Sequence, residues 1–200
     1  MKKIKGEDKR FSNQKNFALR RLKNAMEKNE VDEGIIPIIN YINSLDDFYT
    51  TSTCSGRISL LQDVGSKKDN FHIGKWHRKV KFSEIKEKIK EKLPSKGITW
   101  FKEESSILHV VAKTFEKGKF LLNLALSSGF KHSGIQGFKE GRFLVEICSS
   151  ERVDVPIAEN GKILVSEKYL KYLTKIANKK FSISQKRLKR FDEILRENLK

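Results

Sequence analysis

Phe48-Tyr49-Thr50-Thr51-Ser52-Thr53-Cys54-Ser55-Gly56-Arg57-Ile58 runs through aromatic and β-branched residues to a Ser-Gly corner, then resumes with Arg-Ile. Phe, Tyr and Thr suit the pleated surface of a strand, and Gly56 supplies the backbone freedom of a sharp corner. The stretch therefore predicts two strands, Phe48 to Thr53 and Arg57 to Gln62. Every residue from Thr50 to Ser55 bears a hydroxyl or a thiol, and Gly-Arg follows at once. Hydroxyls both donate and accept, a glycine admits a ligand close to the backbone, and the Arg57 fork grips phosphate or carboxylate with two parallel bonds. Two readings fit this composition: a polar strand with a glycine turn, and one wall of a site for an anionic or very polar ligand.

Outward from this corner, helices and strands alternate irregularly. Asp8 to Lys28 reads as a helix with Phe11, Phe17, Leu19 and Leu22 among Lys and Arg. Gly34 to Leu45 carries a helical stripe of Ile35, Ile38, Ile39, Ile42 and Leu45, with Pro37 in its first turn. Gly65 to Asn70 is a loop, and Ser83 to Leu93 a charged helix capped by Ser83 and ended before Pro94. Gly97 to Lys102 and Ser106 to Lys113 are strands with a turn at Glu103 to Ser105. Glu116 to Ser128 is a helix closed by Gly129. Lys131 to Gln136 and Arg142 to Cys148 are strands separated by residues 137–141, and Val153 to Ile157 and Lys162 to Val165 are short and extended. A final helix, capped by Ser166-Glu167, runs nearly to Lys200 with a break near Ser182 to Ser184. This order predicts an α+β fold, a mixed sheet with flanking helices, rather than regular βαβ winding. We expect one domain over residues 1–200, with 1–95 and 96–200 as possible diverged halves, although no residue-level repeat relates them.

The 200 residues include 42 Lys and Arg against 25 Asp and Glu, a net charge of +17. Such an excess points to a polyanionic partner, most simply nucleic acid, with an acidic membrane surface as the other candidate. No apolar run approaches the ~20 residues of a spanning helix, and the basic start from Met1 to Gly6 has no apolar stretch behind it. A cytoplasmic protein is expected. The two cysteines, Cys54 and Cys148, lack metal-ligand spacing and are not expected to pair in a reducing compartment, so no metal is anticipated.

Five places could carry chemistry. The first is Ser52 to Arg57. In the second, Gly74-Lys75-Trp76, the indole could stack on a base or anchor a loop to the core, while Lys75, Arg78 and Lys79 could hold phosphates. The third is His109 within Ile107-Leu108-His109-Val110-Val111, either a hydrogen-bonded structural residue or the group that handles a proton. The fourth is Ser127 to Ile135, where backbone N–H groups could cradle an anion. The fifth is Arg152 ahead of Val153-Asp154-Val155-Pro156. Phosphate-loop, dinucleotide and nucleophile-elbow motifs are absent, and no carboxylate pair lies in these clusters.

These motifs together resemble the wybutosine-synthesis protein 3 family. The likeness rests on Ser52-Thr53-Cys54-Ser55-Gly56-Arg57-Ile58, Gly74-Lys75-Trp76, Ile107-Leu108-His109-Val110, the run Ala125 to Ile135 with its Gly129-Phe130 and Ser133-Gly134, Arg152 with Val155-Pro156, and Leu164-Val165-Ser166-Glu167-Lys168-Tyr169-Leu170. Thr53 stands where many members have Ser, and Val80 where several have His. The resemblance implies a non-Rossmann, S-adenosyl-L-methionine-dependent methyltransferase acting on the N-4 nitrogen of a wyosine precursor at position 37 of phenylalanine tRNA. Its residues would be Ser52, Arg57 and His109 for catalysis, Ser55, Gly56, Ser133 and Gly134 for the cofactor, and Lys75, Trp76, Phe130 and Arg152 for the anticodon loop. Basic helices near both termini and Lys86 to Lys92 would add phosphate contacts. A non-catalytic protein that binds the tRNA anticodon loop is the alternative.

Overall fold

A computed structural model describes residues 2–139 and 141–199, with side chains from residue 9 onward. The chain forms two compact units and passes between them at Ser55/Gly56, Ser105/Ser106, Ser150/Glu151 and Gln185/Lys186.

The first unit contains α1 (Lys2–Glu27), a 3-10 turn at Glu33–Ile35, α2 (Ile36–Ser44), β1 (Phe48–Cys54), β5 (Ile107–Ala112), α4 (Phe115–Ser127), β6 (Gly134–Lys139), β7 (Arg142–Cys148) and the end of α5 (Glu167–Asn198). Its sheet has the order β1-β5-β7-β6. One face presents Leu108, Val110, Val145 and Ile147 to Ile38, Ile39 and Ile42 of α2, Leu121 and Leu124 of α4, and Leu188, Phe191 and Leu195 of α5. On the other face Tyr49 and Val111 pack against Phe11 of α1, the Phe11 and Tyr49 rings 5.2 Å apart. Both faces of this sheet are thus partly covered, and the part that α1 leaves is polar.

The second unit contains β2 (Arg57–Asp63), β3 (Phe71–Trp76), α3 (Phe82–Lys92), β4 (Ile98–Glu104), β8 (Arg152–Glu159), β9 (Lys162–Ile163) and the start of α5. The sheet order is β3-β2-β4-β8-β9. Ile58, Leu60, Phe101, Val153 and Ile157 form one face and bury Ile85 and Ile89 of α3 with Leu170, Leu173, Ala177 and Phe181 of α5.

The α+β class holds, and the fold is not a Rossmann one. The expected mixed sheet is instead two sheets in which every pairing is antiparallel. In each unit a helix joins two strands that another strand separates: α3 links β3 to β4 with β2 between, and α4 links β5 to β6 with β7 between. The inserted strand runs against both neighbours, so a strand-helix-strand order yields no parallel pair.

Local boundaries shift for identifiable reasons. α3 starts at Phe82, with Lys81 rather than Ser83 as its N-cap; the Lys81 N–H donates to Glu84 Oε2 at 2.8 Å, so the carboxylate does the capping. β4 extends through Glu104, leaving Ser105-Ser106 as the link where a turn was expected at Glu103 to Ser105. Gly137 to Lys139 belong to β6, which begins at Gly134 rather than at Lys131. α5 is unbroken at Ser182, whose hydroxyl donates to the Asn178 carbonyl at 2.8 Å inside the helix.

Gly74 has a steric reason. A Cβ there would lie 2.4 Å from Cη2 of Trp76, because the indole folds back over residue 74 on the core side of β3. Gly74→Ala should therefore lift the ring from the core and cost about 1–3 kcal/mol, read as a lower urea midpoint; an unchanged midpoint would contradict this packing.

Candidate active site

In the first unit, the strand registers bring Ser52, His109, Glu146 and Gly134 into one row across β1, β5, β7 and β6. Directly paired residues of a sheet share a face, so these groups lie side by side. A register shift between Thr50 and Ser52 sets the row, because it gives Ser52 the face that Tyr49 also occupies. His109 Nε2 stands 2.8 Å from Glu146 Oε2, and Gln136 Nε2 donates to Glu146 Oε1 at 3.3 Å. A carboxylate only accepts, so this bond places a proton on Nε2, and the tautomer it selects leaves the lone pair on Nδ1. Ser52 is exposed and His109 and Glu146 are half-buried. A Cβ at Gly134 would meet nothing within 4 Å. Among the described residues nothing demands a glycine there, and the space suits the close approach of a ligand.

Beside this row lies a cavity of about 710 Å³ between α1 and β1, within the size range of small-molecule sites. Tyr49, Thr51, Ser52 and Thr53 line one wall; Asn13, Gln14, Phe17 and Arg21 line the other, with Arg142 between them. Tyr49 OH donates to Gln14 Oε1 at 3.1 Å and takes a hydrogen bond from Arg142; burial pushes its pKa up and Arg142 opposes that. Phe17 is 58% exposed at the rim. An aromatic face, amides and guanidinium groups in one cavity match the surface of a nucleoside or nucleotide.

Other expected residues of this unit shape the backbone. Ser55 is buried, and both its N–H (2.8 Å) and its hydroxyl (3.1 Å) bond Asp32 Oδ2. Ser133 Oγ donates to the Phe130 carbonyl at 2.7 Å and accepts from Cys148 N–H at 3.1 Å, closing the turn into β6. Phe130, expected as a stacking platform, is fully buried with its ring edge-on to Phe191 at 5.6 Å, so neither face of it meets solvent.

In the second unit, Arg57, Ser59, Lys75, Lys102, Glu104, Arg152 and Asp154 share the sheet face opposite the core. Two rows build it: Lys75-Ser59-Lys102-Asp154 and Arg57-Glu104-Arg152. Arg57 Nε donates to Glu104 Oε2 at 2.6 Å, while Lys102 and Arg152 both donate to Asp154. His72 adjoins the same face; burial first, then Arg57, Lys75 and Lys102, lower its pKa, and Glu104 opposes them. Trp76, expected to stack on a base, lies on the opposite face against the core. Gly56 adopts φ 98°, a region glycine favours, and its carbonyl stands 3.0 Å from His77 Nδ1.

A sequence profile of the methyltransferase TYW3 family matches residues 13–197. The chain belongs to the TYW3 methyltransferase family. It is 43% identical over 188 residues to a protein of Thermococcus sibiricus named tRNA(Phe) 7-((3-amino-3-carboxypropyl)-4-demethylwyosine(37)-N(4))-methyltransferase, covering 93% of this chain and 94% of that one. A Pyrococcus furiosus protein of the same name, numbered 1, is 46% identical over 184 residues, covering 91% and 93%. Among solved structures, one of a Pyrococcus horikoshii protein is similar with a TM-score of 0.87 at 44% identity, covering 93% of this chain and 96% of that one. A hypothetical protein from Aeropyrum pernix gives 0.71 at 29%, covering 83% and 98%.

Six side chains escaped the sequence reading of this TYW3 member: Ser59, Lys102, Glu104, Arg142, Glu146 and Asp154. The alternation of Ile98 to Glu104 carries the signal for Lys102 and Glu104, and Asp154 is flanked by Val153 and Val155 in the same two-residue period. Their partners lie on strands distant in sequence, which alternation does not identify.

Proposed function

We propose that this TYW3 family member transfers a methyl group from S-adenosyl-L-methionine to the N-4 nitrogen of a wyosine precursor at position 37 of phenylalanine tRNA, in the anticodon loop. The observation that carries the reading is the Ser52-His109-Glu146-Gly134 row, a proton-handling pair beside a position open to a ligand, in a chain of a methyltransferase family. S-Adenosyl-L-methionine supplies a methyl already activated on a sulfonium, so the protein's work is alignment and proton removal. His109 Nδ1 accepts the proton of the receiving nitrogen, and Glu146 holds the ring and stabilises the imidazolium. Ser52, in the adjoining register position, offers a hydroxyl to orient the base. Gly134 admits the donor close to the backbone, and the open space at its Cβ position fits that role.

The charge excess supports tRNA as the partner. On α5, Lys168, Lys171, Lys175 and Lys179 are exposed at helical spacing, whereas Lys86 and Lys88 of α3 already pair with Glu167 and Glu91. No helix among the described residues is long and apolar enough to cross a membrane. Phosphate contacts release counterions, so tRNA affinity should fall by about tenfold or more between 50 and 200 mM salt; an affinity independent of salt would contradict the electrostatic footprint.

Transfer of labelled methyl from S-adenosyl-L-methionine to phenylalanine tRNA lacking the modification tests the proposal. Label in the tRNA is expected. Retained tRNA binding without label would favour a non-catalytic anticodon-loop binder.

A further inference from the structure

The polar face of the second unit's sheet alternates in sign. Lys102 contacts Asp154, Arg57 contacts Glu104, and Arg152 also contacts Asp154. The side chains of Lys102, Asp154, Arg57 and Glu104 are 13%, 23%, 31% and 33% exposed, so this face is recessed without being sealed. Between Lys75 and Lys102 in the register sits Ser59, fully buried, whose Oγ has no hydrogen-bond partner among the described residues. A buried hydroxyl without a partner is costly and calls for an explanation. The surrounding ion pairs satisfy one another; Ser59 does not take part in them.

We propose that this face binds the zwitterionic end of an α-amino acid group. The carboxylate accepts from Ser59 Oγ–H and from the Lys102 ammonium, and the amino group donates to Asp154. A simple phosphate would meet Asp154 and Glu104, and a simple amine would meet Lys102 and Arg57. Only a ligand carrying both charges a bond or two apart matches adjacent sites of opposite sign. The inference rests on the methyltransferase reading for its source of ligand. The base named for the relatives carries a 3-amino-3-carboxypropyl chain, and S-adenosyl-L-methionine carries the same chain on its sulfur.

Equilibrium binding with two ligand pairs tests the site and separates the sources. The donor pair is S-adenosylhomocysteine and 5′-methylthioadenosine, which lacks the amino acid group. The tRNA pair is phenylalanine tRNA whose base 37 bears or lacks the 3-amino-3-carboxypropyl chain. The wild-type chain should prefer the member with the group in at least one pair by about tenfold or more, as charge-assisted bonds allow. Ser59→Ala and Asp154→Asn should each bring that ratio down toward parity while the partner lacking the group binds as before. A collapse in the donor pair assigns the site to the cofactor, and one in the tRNA pair to the base. Ser59→Ala removes a single oxygen, and circular dichroism confirms that each variant is folded. If the wild type shows no preference in either pair, or folded Ser59→Ala retains it, the site is overturned. These ratios need no turnover. Absence of methyl transfer by the wild type would therefore overturn the proposed function alone.

Discussion

His109→Ala should lower methyl transfer to phenylalanine tRNA by about 10²–10⁴-fold, the range removed with a positioned general base. The Cβ remains and β5 keeps its ladder with β1 and β7, so circular dichroism and tRNA affinity should be unchanged. Glu146→Gln should have a smaller effect. The amide oxygen can still accept from Nε2–H, but the charge that stabilises the imidazolium is gone, so kcat should fall by about tenfold while KM stays. If His109→Ala turns over at the wild-type rate with an intact fold, the proton is handled elsewhere. If Glu146→Gln is as inactive as His109→Ala, the charge of the carboxylate outweighs its orienting hydrogen bond. Arg57→Ala separates a different contribution: it leaves the Glu104 carboxylate without its partner at 2.6 Å and should act on KM more than on kcat.

Substituting Glu103 should stabilise the protein, and the gain should depend on pH. Glu103 is fully buried on the core side of β4, and neither carboxyl oxygen has a hydrogen-bond partner among the described residues. Burial pushes its pKa up from 4.5 to about 7; Glu104 and Asp154 add to the rise and Lys180 of α5 opposes it. At pH values below 4.5 the folded and unfolded chains both hold the proton, and Glu103 contributes no pH dependence. As pH rises from 4.5 to about 7, the unfolded chain ionises first, so the folded state loses stability progressively. Above about 7 the full penalty applies, roughly 3 kcal/mol. Glu103→Gln should flatten the difference in unfolding free energy between pH 5 and pH 8, and Glu103→Leu should raise stability at pH 8 by roughly 2 kcal/mol. Urea unfolding at the two pH values measures both. A wild-type chain more stable at pH 8 than its Glu103→Leu variant would contradict the placement of this carboxyl.

The stretch from Phe48 to Ile58 shows how far sequence carries the fold. Its two strands and corner stand where local chemistry put them, with Gly56 at positive φ. Local composition does not record that β1 and β2 enter different sheets, because pairing partners such as Ala112 for Phe48 lie far along the chain. The same holds at Ser105-Ser106, where an apparent hairpin separates two strands of different sheets. Helices were legible from their stripes, since each apolar stripe is a local pattern. The Ser182 to Ser184 cluster misled because Ser reads as a helix breaker unless its hydroxyl can bond the preceding turn, as Ser182 does.

Residue type carried the candidate site only part of the way. His109 and Ser52 were visible as polar groups in unusual company, and the register places them side by side. Trp76 and Phe130 drew attention as aromatics near cations or glycines, yet their rings fill cores, Trp76 over Gly74 and Phe130 against Phe191. Phe17 was visible as one apolar residue of a basic helix, whereas the structure sets it at a cavity rim. Charge pairing is the least legible layer. Arg57 with Glu104, Lys102 with Asp154 and His109 with Glu146 are each joined by strand register across 37 to 52 positions of sequence.

Mass spectrometry of nucleosides from phenylalanine tRNA tests the central claim most directly. The tRNA, isolated without the N-4 methyl on base 37, is incubated with the protein and S-adenosyl-L-methionine. The account predicts that base 37 gains one methyl group on its N-4 nitrogen with the wild-type chain, and almost none with His109→Ala. An unmodified base 37 with folded, tRNA-binding wild-type protein would contradict it.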